Sequence, residues 1–148
     1  MRRPRRADLR NAARLLASEE RGVLVLGVID GVVVEWNLRR HGAKGLVAVR
    51  PDLGVDAQRV RRICQIVDVA LSLLPWHATC LRRSMTQLRV LARRGYQAEL
   101  KVGVKPSVGG VAAHAWLEVN NWVVNDDPSV KETYNVFDGE LSMLEALA

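Results

Sequence analysis

The spacing of hydrophobic positions changes partway along the chain. Val60, Ile63, Cys64, Val67, Ala70, Leu71 and Leu74 recur at three- and four-residue intervals. That spacing predicts a helix with one buried stripe, capped by Asp56 and ended by Pro75. A second helix is predicted from Thr79 or Cys80 to Arg94, with Leu81, Met85, Leu88 and either Leu91 or Ala92 facing inward. Gly95 closes it. The period then becomes two, and strands are expected over 97–104, 113–119 and 122–125. Turns are expected at 106–110 and at Asn120-Asn121. Upstream, 22–40 reads either as strands around an Asp30-Gly31 hairpin turn or as a buried helix, because polar residues are sparse there. Shorter helices are expected at 8–17 and 140–147, and 42–54 reads as a connection. Helices first and an antiparallel sheet afterwards make an α+β domain.

A chain of 148 residues fits a single domain, 1–148, with 1–55 as an N-terminal helical part and 56–148 as the core that carries the chemistry. At 49% hydrophobic and 26% charged it is not a disordered-type sequence. The longest apolar stretch, 22–34, is broken by Asp30, so no membrane span is expected. No apolar signal-peptide core follows the basic N-terminus, and a soluble, cytoplasmic protein is expected. The net charge is +6, and five of the first ten residues are Arg. Aromatic residues, at 5%, do not interleave with the basic clusters. Nucleic-acid binding is therefore not expected, and an acidic peptide or protein fits the charge better.

Two cysteines, Cys64 and Cys80, are not a disulfide framework, and three scattered histidines do not form a metal set. Neither a metal nor a cofactor is expected. Cys64 lies mid-helix on the apolar stripe and reads as core. Cys80 opens a helix, where unpaired N–H groups and the helix dipole favour a thiolate and could hold an oxyanion. A small buried residue at a helix end is an equally good reading of that segment alone.

A hairpin follows, with His114, Trp116 and Glu118 on one face. A two-residue loop at Asn120-Asn121 puts Asp127 opposite His114. A three-residue loop with a bulge, using Asn121 in the left-handed region, puts Asp126 there instead. Directly opposed residues have Cβ atoms about 5 Å apart, close enough for a carboxylate to orient an imidazole. Spacing leaves both acids open. A helix-start Cys, a strand His and a facing Asp together suit acyl transfer through a thioester. His77 is read as a wall residue and His41 as a helix-end or loop residue. Trp76, Trp116 and Trp122 fit a groove lining or the core equally well.

Several runs carry a resemblance. They are Cys-Leu-Arg-Arg-Ser at 80–84, Leu-Ala-Arg-Arg-Gly-Tyr-Gln-Ala-Glu-Leu-Lys-Val-Gly-Val at 91–104, and Ala-His-Ala-Trp-Leu-Glu-Val at 113–119 with Asn125-Asp126 beyond. Together they resemble the leader peptidases of lasso-peptide biosynthesis, cysteine proteases with a transglutaminase-like, papain-like core. The resemblance spans about 75–128. It implies a helical N-terminal half packed on an antiparallel sheet, and so favours helix for 22–40. It also implies a catalytic set of Cys80, His114 and Asp126, which breaks the tie between the acids. The implied activity is removal of the leader from a ribosomally made precursor, before an ATP-dependent lasso cyclase closes the macrolactam. With no leader-capture domain evident before Asp56, a separate leader-recognition protein is the implied partner. One departure is Asn121, where Gly is usual. Two alternatives stay open: a transglutaminase-like amidase or acyltransferase on another substrate, and a non-catalytic basic interaction module.

Overall fold

The computed structural model describes residues 18–41 and 56–136. The elements expected at 8–17, 42–54 and 140–147 lie outside them. Three helices come first: α1 (Ser18–His41), α2 (Ala57–Ser72) and α3 (Cys80–Arg93). Then come β1 (Glu99–Ser107), β2 (Gly110–Val119), β3 (Trp122–Val123), a single-turn α4 (Val130–Thr133) and β4 (Asn135–Val136). The four strands form one antiparallel sheet in the order β3-β2-β1-β4.

Residues 22–40 are helical, and the ambiguity of their pattern has a physical source. Val23, Gly27, Asp30 and Val34 are buried, while Val25, Ile29, Val32 and Trp36 are exposed on a second apolar stripe. Two stripes on one helix hide its period. Gly27 and Gly31 allow α1 a close approach. A Cβ on Gly27 would lie 2.7 Å from the Ala70 Cβ, and one on Gly31 would lie 2.8 Å from the Leu71 side chain. Asp30 is fully buried and marks no turn. Its carboxylate faces Arg89 Nε at 3.2 Å and Arg93 Nε at 3.0 Å on α3.

Asp56 caps α2 as expected, accepting from the Gln58 N–H at 2.9 Å. The α2 stripe is buried from Val60 to Leu71, and the helix ends one residue before Leu73. This stripe, with Leu88, Val90 and Leu91 of α3 and with Leu117, Val119 and Val124, makes the main core. Of the two inward candidates on α3, Leu91 is buried and Ala92 exposed. Leu81 and Met85 are only partly buried. Ser84, Thr86 and Gln87 are fully buried beside them, which an apolar periodicity does not show.

The first hairpin is tighter than expected. β1 runs through Pro106, and Val108-Gly109 alone make the turn, with Gly109 at φ 89°. Pro106 fits because its partner Val111 sits in a pair that exchanges no ladder bonds. The Leu117 carbonyl accepts from Val124 N–H, on the β3 side, so odd-numbered β2 residues direct their backbone groups away from β1. β3 is shorter than expected and ends at Val123.

Candidate active site

The second hairpin settles its own register. Val119 pairs with Trp122 and Glu118 with Val123, so the loop has two residues. Asn120 and Asn121 both take positive φ, 47° and 67°, as a tight turn of this hand requires. Lys131 holds the turn by donating to the Asn121 carbonyl at 3.0 Å and to its side-chain oxygen at 2.6 Å. The bulged three-residue loop is thus absent. A continued ladder would set Asp127 opposite His114, but the ladder stops.

It stops because Asn125 leaves the strand and bonds with its side chain instead. Its Oδ1 accepts from the Leu117 N–H at 2.7 Å, and its Nδ2 donates to Ser84 Oγ at 2.9 Å and to Gln87 Oε1 at 2.7 Å. Ser84 Oγ donates in turn to the Ala115 carbonyl at 3.0 Å. Gln87 Nε2 donates to Asp68 Oδ1 at 2.7 Å and to the Cys64 carbonyl at 3.2 Å. Arg83 chelates Asp68 at 2.8 and 3.0 Å and donates to the Asn125 carbonyl. Every buried side-chain polar atom in this patch has a partner, which is what such a network needs to fix one geometry.

The displaced chain brings Asp126, not Asp127, to the histidine. Asp126 Oδ2 lies 2.8 Å from His114 Nε2 and 3.7 Å from Arg83 Nη1. A carboxylate only accepts, so Nε2 carries the shared hydrogen and the neutral ring keeps its lone pair on Nδ1. Asp126 Oδ1 accepts from the Asp127 N–H at 2.8 Å. Asp127 is exposed, turned to the Ser129 N–H at 2.9 Å, and bonds to Ser129 hold its carboxyl below the usual range. The histidine is braced from its own side of the sheet. Tyr134 stacks on it with ring centroids 5.2 Å apart, and Trp116, fully buried, lies 6.4 Å away. Gly103, opposite His114 in the ladder, leaves the room: a Cβ there would come within 2.7 Å of Tyr134 and 2.8 Å of the Trp116 ring.

Cys80 is the first residue of α3, after the N-cap Thr79. It is half-buried and packs against the cluster of Val102 and Ala115, the second of which follows His114. Alternation along β2 turns His114 away from the face that carries Ala115. Among the described residues no hydrogen bond joins the Cys80 thiol to His114. The structure thus joins His114 to Asp126 directly and sets Cys80 against β2, the strand that carries His114. Cys64 is different in kind. It is buried, and burial, with Asp68 nearby, pushes its thiol up to about 12. Burial likewise raises Asp68, outweighing its Arg83 partner. Trp122 is exposed and Trp116 is core, while His77 is an exposed residue just before α3. Among the described residues no three His, Cys, Asp or Glu side chains gather to hold a metal ion.

Tyr134, Arg83, Ser84, Gln87 and the Asn125 side chain were not among the sequence candidates. Polar residues at inward positions of an otherwise apolar helix face, as at Ser84 and Gln87, were the available signal.

A helix-start cysteine packed against an antiparallel sheet whose histidine bonds an aspartate just beyond the sheet fits one class of fold. The family model described as the transglutaminase-like superfamily matches residues 25–137. That span exceeds half of the chain, and the chain belongs to this superfamily. No curated protein and no solved structure matches it. Membership is consistent with cysteine-type hydrolase or acyltransferase chemistry. Among the described residues no helix is long and apolar enough to cross a membrane.

Proposed function

We propose that the chain is a cysteine peptidase that removes the leader from a lasso-peptide precursor. Cys80 is the nucleophile, His114 the base and Asp126 the orienting acid. The observation that carries this reading is the 2.8 Å bond from Asp126 to His114, whose strand the helix-start Cys80 packs against. Superfamily membership supports the chemistry, and the motifs around Cys80, His114 and Asp126 support the substrate. Cys80 packs on the Ala115 face of β2 and His114 lies on the other, so this reading requires thiol and imidazole to meet around the outer edge of the strand when substrate binds.

In this mechanism His114 Nδ1 takes the thiol proton, and Asp126 stabilises the resulting imidazolium through Nε2. The thiolate adds to the amide carbonyl at the leader–core junction, and free N–H groups at the start of α3 face the oxyanion. His114 then gives its proton to the departing amine of the core. Water cleaves the thioester and releases the leader with a new carboxylate. The core, with its free amine, passes to the ATP-dependent cyclase, and a separate leader-recognition protein presents the precursor.

Mass spectrometry of a precursor peptide incubated with the protein tests this, with and without the recognition partner and beside Cys80→Ala. Cleavage at one junction, absent in Cys80→Ala and faster with the partner, is expected. Transfer of the acyl group to an added amine with no hydrolysis would assign the acyltransferase reading instead. An intact precursor under all conditions would remove the peptidase reading.

A further inference from the structure

β2 is ten residues long, but its outer neighbour β3 covers only Glu118 and Val119. Of the next outward groups, the Leu117 N–H is taken by Asn125, its carbonyl by the Val124 N–H, and the Ala115 carbonyl by Ser84. Beyond that block the outward N–H and C=O groups belong to Ala113 and Val111, by the alternation that Leu117 fixes. Among the described residues none of these backbone groups has a partner. Both residues are exposed, and Val111 keeps 56% of its surface. An open strand edge is a template for another extended chain.

We propose that the outer edge of β2 at Val111–Ala113 is the docking site for an extended segment of the peptide substrate, which adds to the sheet as a further strand. The inference rests on the peptidase reading. The position of the edge selects the occupant. A strand laid on 111–113 is stopped by the Ser84 and Asn125 side chains, next to His114–Asp126 and beside the Val102–Ala115 cluster on which Cys80 packs. Docked main chain therefore ends where the scissile amide has to lie. Recognition is through main-chain donors and acceptors, so the bound segment is extended and its side chains alternate between the two sheet faces.

The test uses a precursor peptide that the wild-type protein cleaves. Ala113→Pro deletes one outward N–H and no ladder bond, since Ala113 does not exchange hydrogen bonds with Val104. Its KM should rise about fivefold with kcat nearly unchanged, the size of one lost hydrogen bond. Should that variant misfold, N-methylation of successive amides in synthetic precursors tests the wild-type protein directly. Methylation should weaken cleavage at every second residue on one side of the junction. Wild-type cleavage with an unchanged Ala113→Pro KM, or with no two-residue period, overturns the docking site and leaves the peptidase reading standing. A wild-type dimer in sedimentation that Ala113→Pro dissolves assigns the edge to a second copy and overturns it too. If the wild-type protein cleaves no precursor, the peptidase reading falls first and takes the docking site with it.

Discussion

Two contact regions hold this fold together by different means. Between α1 and α2 the fit is apolar and close, with glycines at 27 and 31 taking the place of side chains that would collide with Ala70 and Leu71. Beside the apolar contact of α3 with β2, a polar patch joins α3, β2 and the bend at Asn125, with Asn125, Ser84, Gln87 and Arg83 each bonded to a named partner. Close packing tolerates small rotations of the parts, whereas a hydrogen-bond network holds its members to fixed distances and angles. The polar region is the one that holds Asp126 against His114. The chain thus puts directional bonds where geometry matters and non-directional contact where only stability is needed.

Breaking the polar region should cost function first. Cys80→Ala, at its edge, should abolish turnover while the melting temperature stays nearly constant; residual cleavage in that variant would mean the nucleophile is elsewhere. Asn125→Ala should be next. It strands the Leu117 N–H and the Ser84 and Gln87 side chains, at about 2–4 kcal/mol in denaturant unfolding, and it frees Asp126, so kcat should fall as well. Asp126→Ala should lower kcat far more than Asp127→Ala in the same assay, since only Asp126 touches the histidine.

Disturbing the apolar region should leave chemistry alone. Gly27→Ala should lose roughly 1–3 kcal/mol by overpacking, and Ala70→Gly in the same chain should restore part of it. A pH profile of kcat/KM shifted by Gly27→Ala would collapse the distinction between the regions. Near neutral pH the smallest effect belongs to Cys64, which borders both. Its folded thiol keeps its proton to about 12, against 9.0 in an unconstrained chain. Its contribution to stability is therefore complete below pH 9 and is lost as the pH rises toward 12, because the unfolded chain ionises first. Wild type should lose up to about 1.4 kcal/mol per pH unit more than Cys64→Ala over that window in urea melts. Cys64→Ala should keep most of the turnover.

The sequence was most readable where one face of an element alone is apolar. α2 and its cap follow directly from Asp56 and the stripe from Val60 to Leu71. The α+β order and the cysteine at the start of α3 were legible for the same reason. α1 was not, because its exposed stripe is as apolar as its buried one. Pro106 concealed the end of β1, since a proline matches a non-bonded ladder position as well as a turn. The hairpin register shows a limit of another kind. Loop length alone pointed to Asp127 once two residues sufficed, yet Asp126 makes the contact, because a side-chain amide replaces the backbone of the next strand residue. Tyr134 was beyond reach, being brought to His114 by a return of the chain after α4 that no local pattern announces.

The spacing of the two α1 glycines also bears on how the chain finds its alignment. They are four residues apart, so a slide of α1 by about one turn, roughly 6 Å, would carry Gly31 into the place of Gly27 against Ala70. The same slide would push Glu35 onto Leu71 and Leu74, where Gly31 now sits, and would draw Asp30 away from Arg89 and Arg93. One misalignment that backbone shape would accept is thus vetoed by two charges. A folding chain that docks α1 this one turn out of place meets an error signal at once.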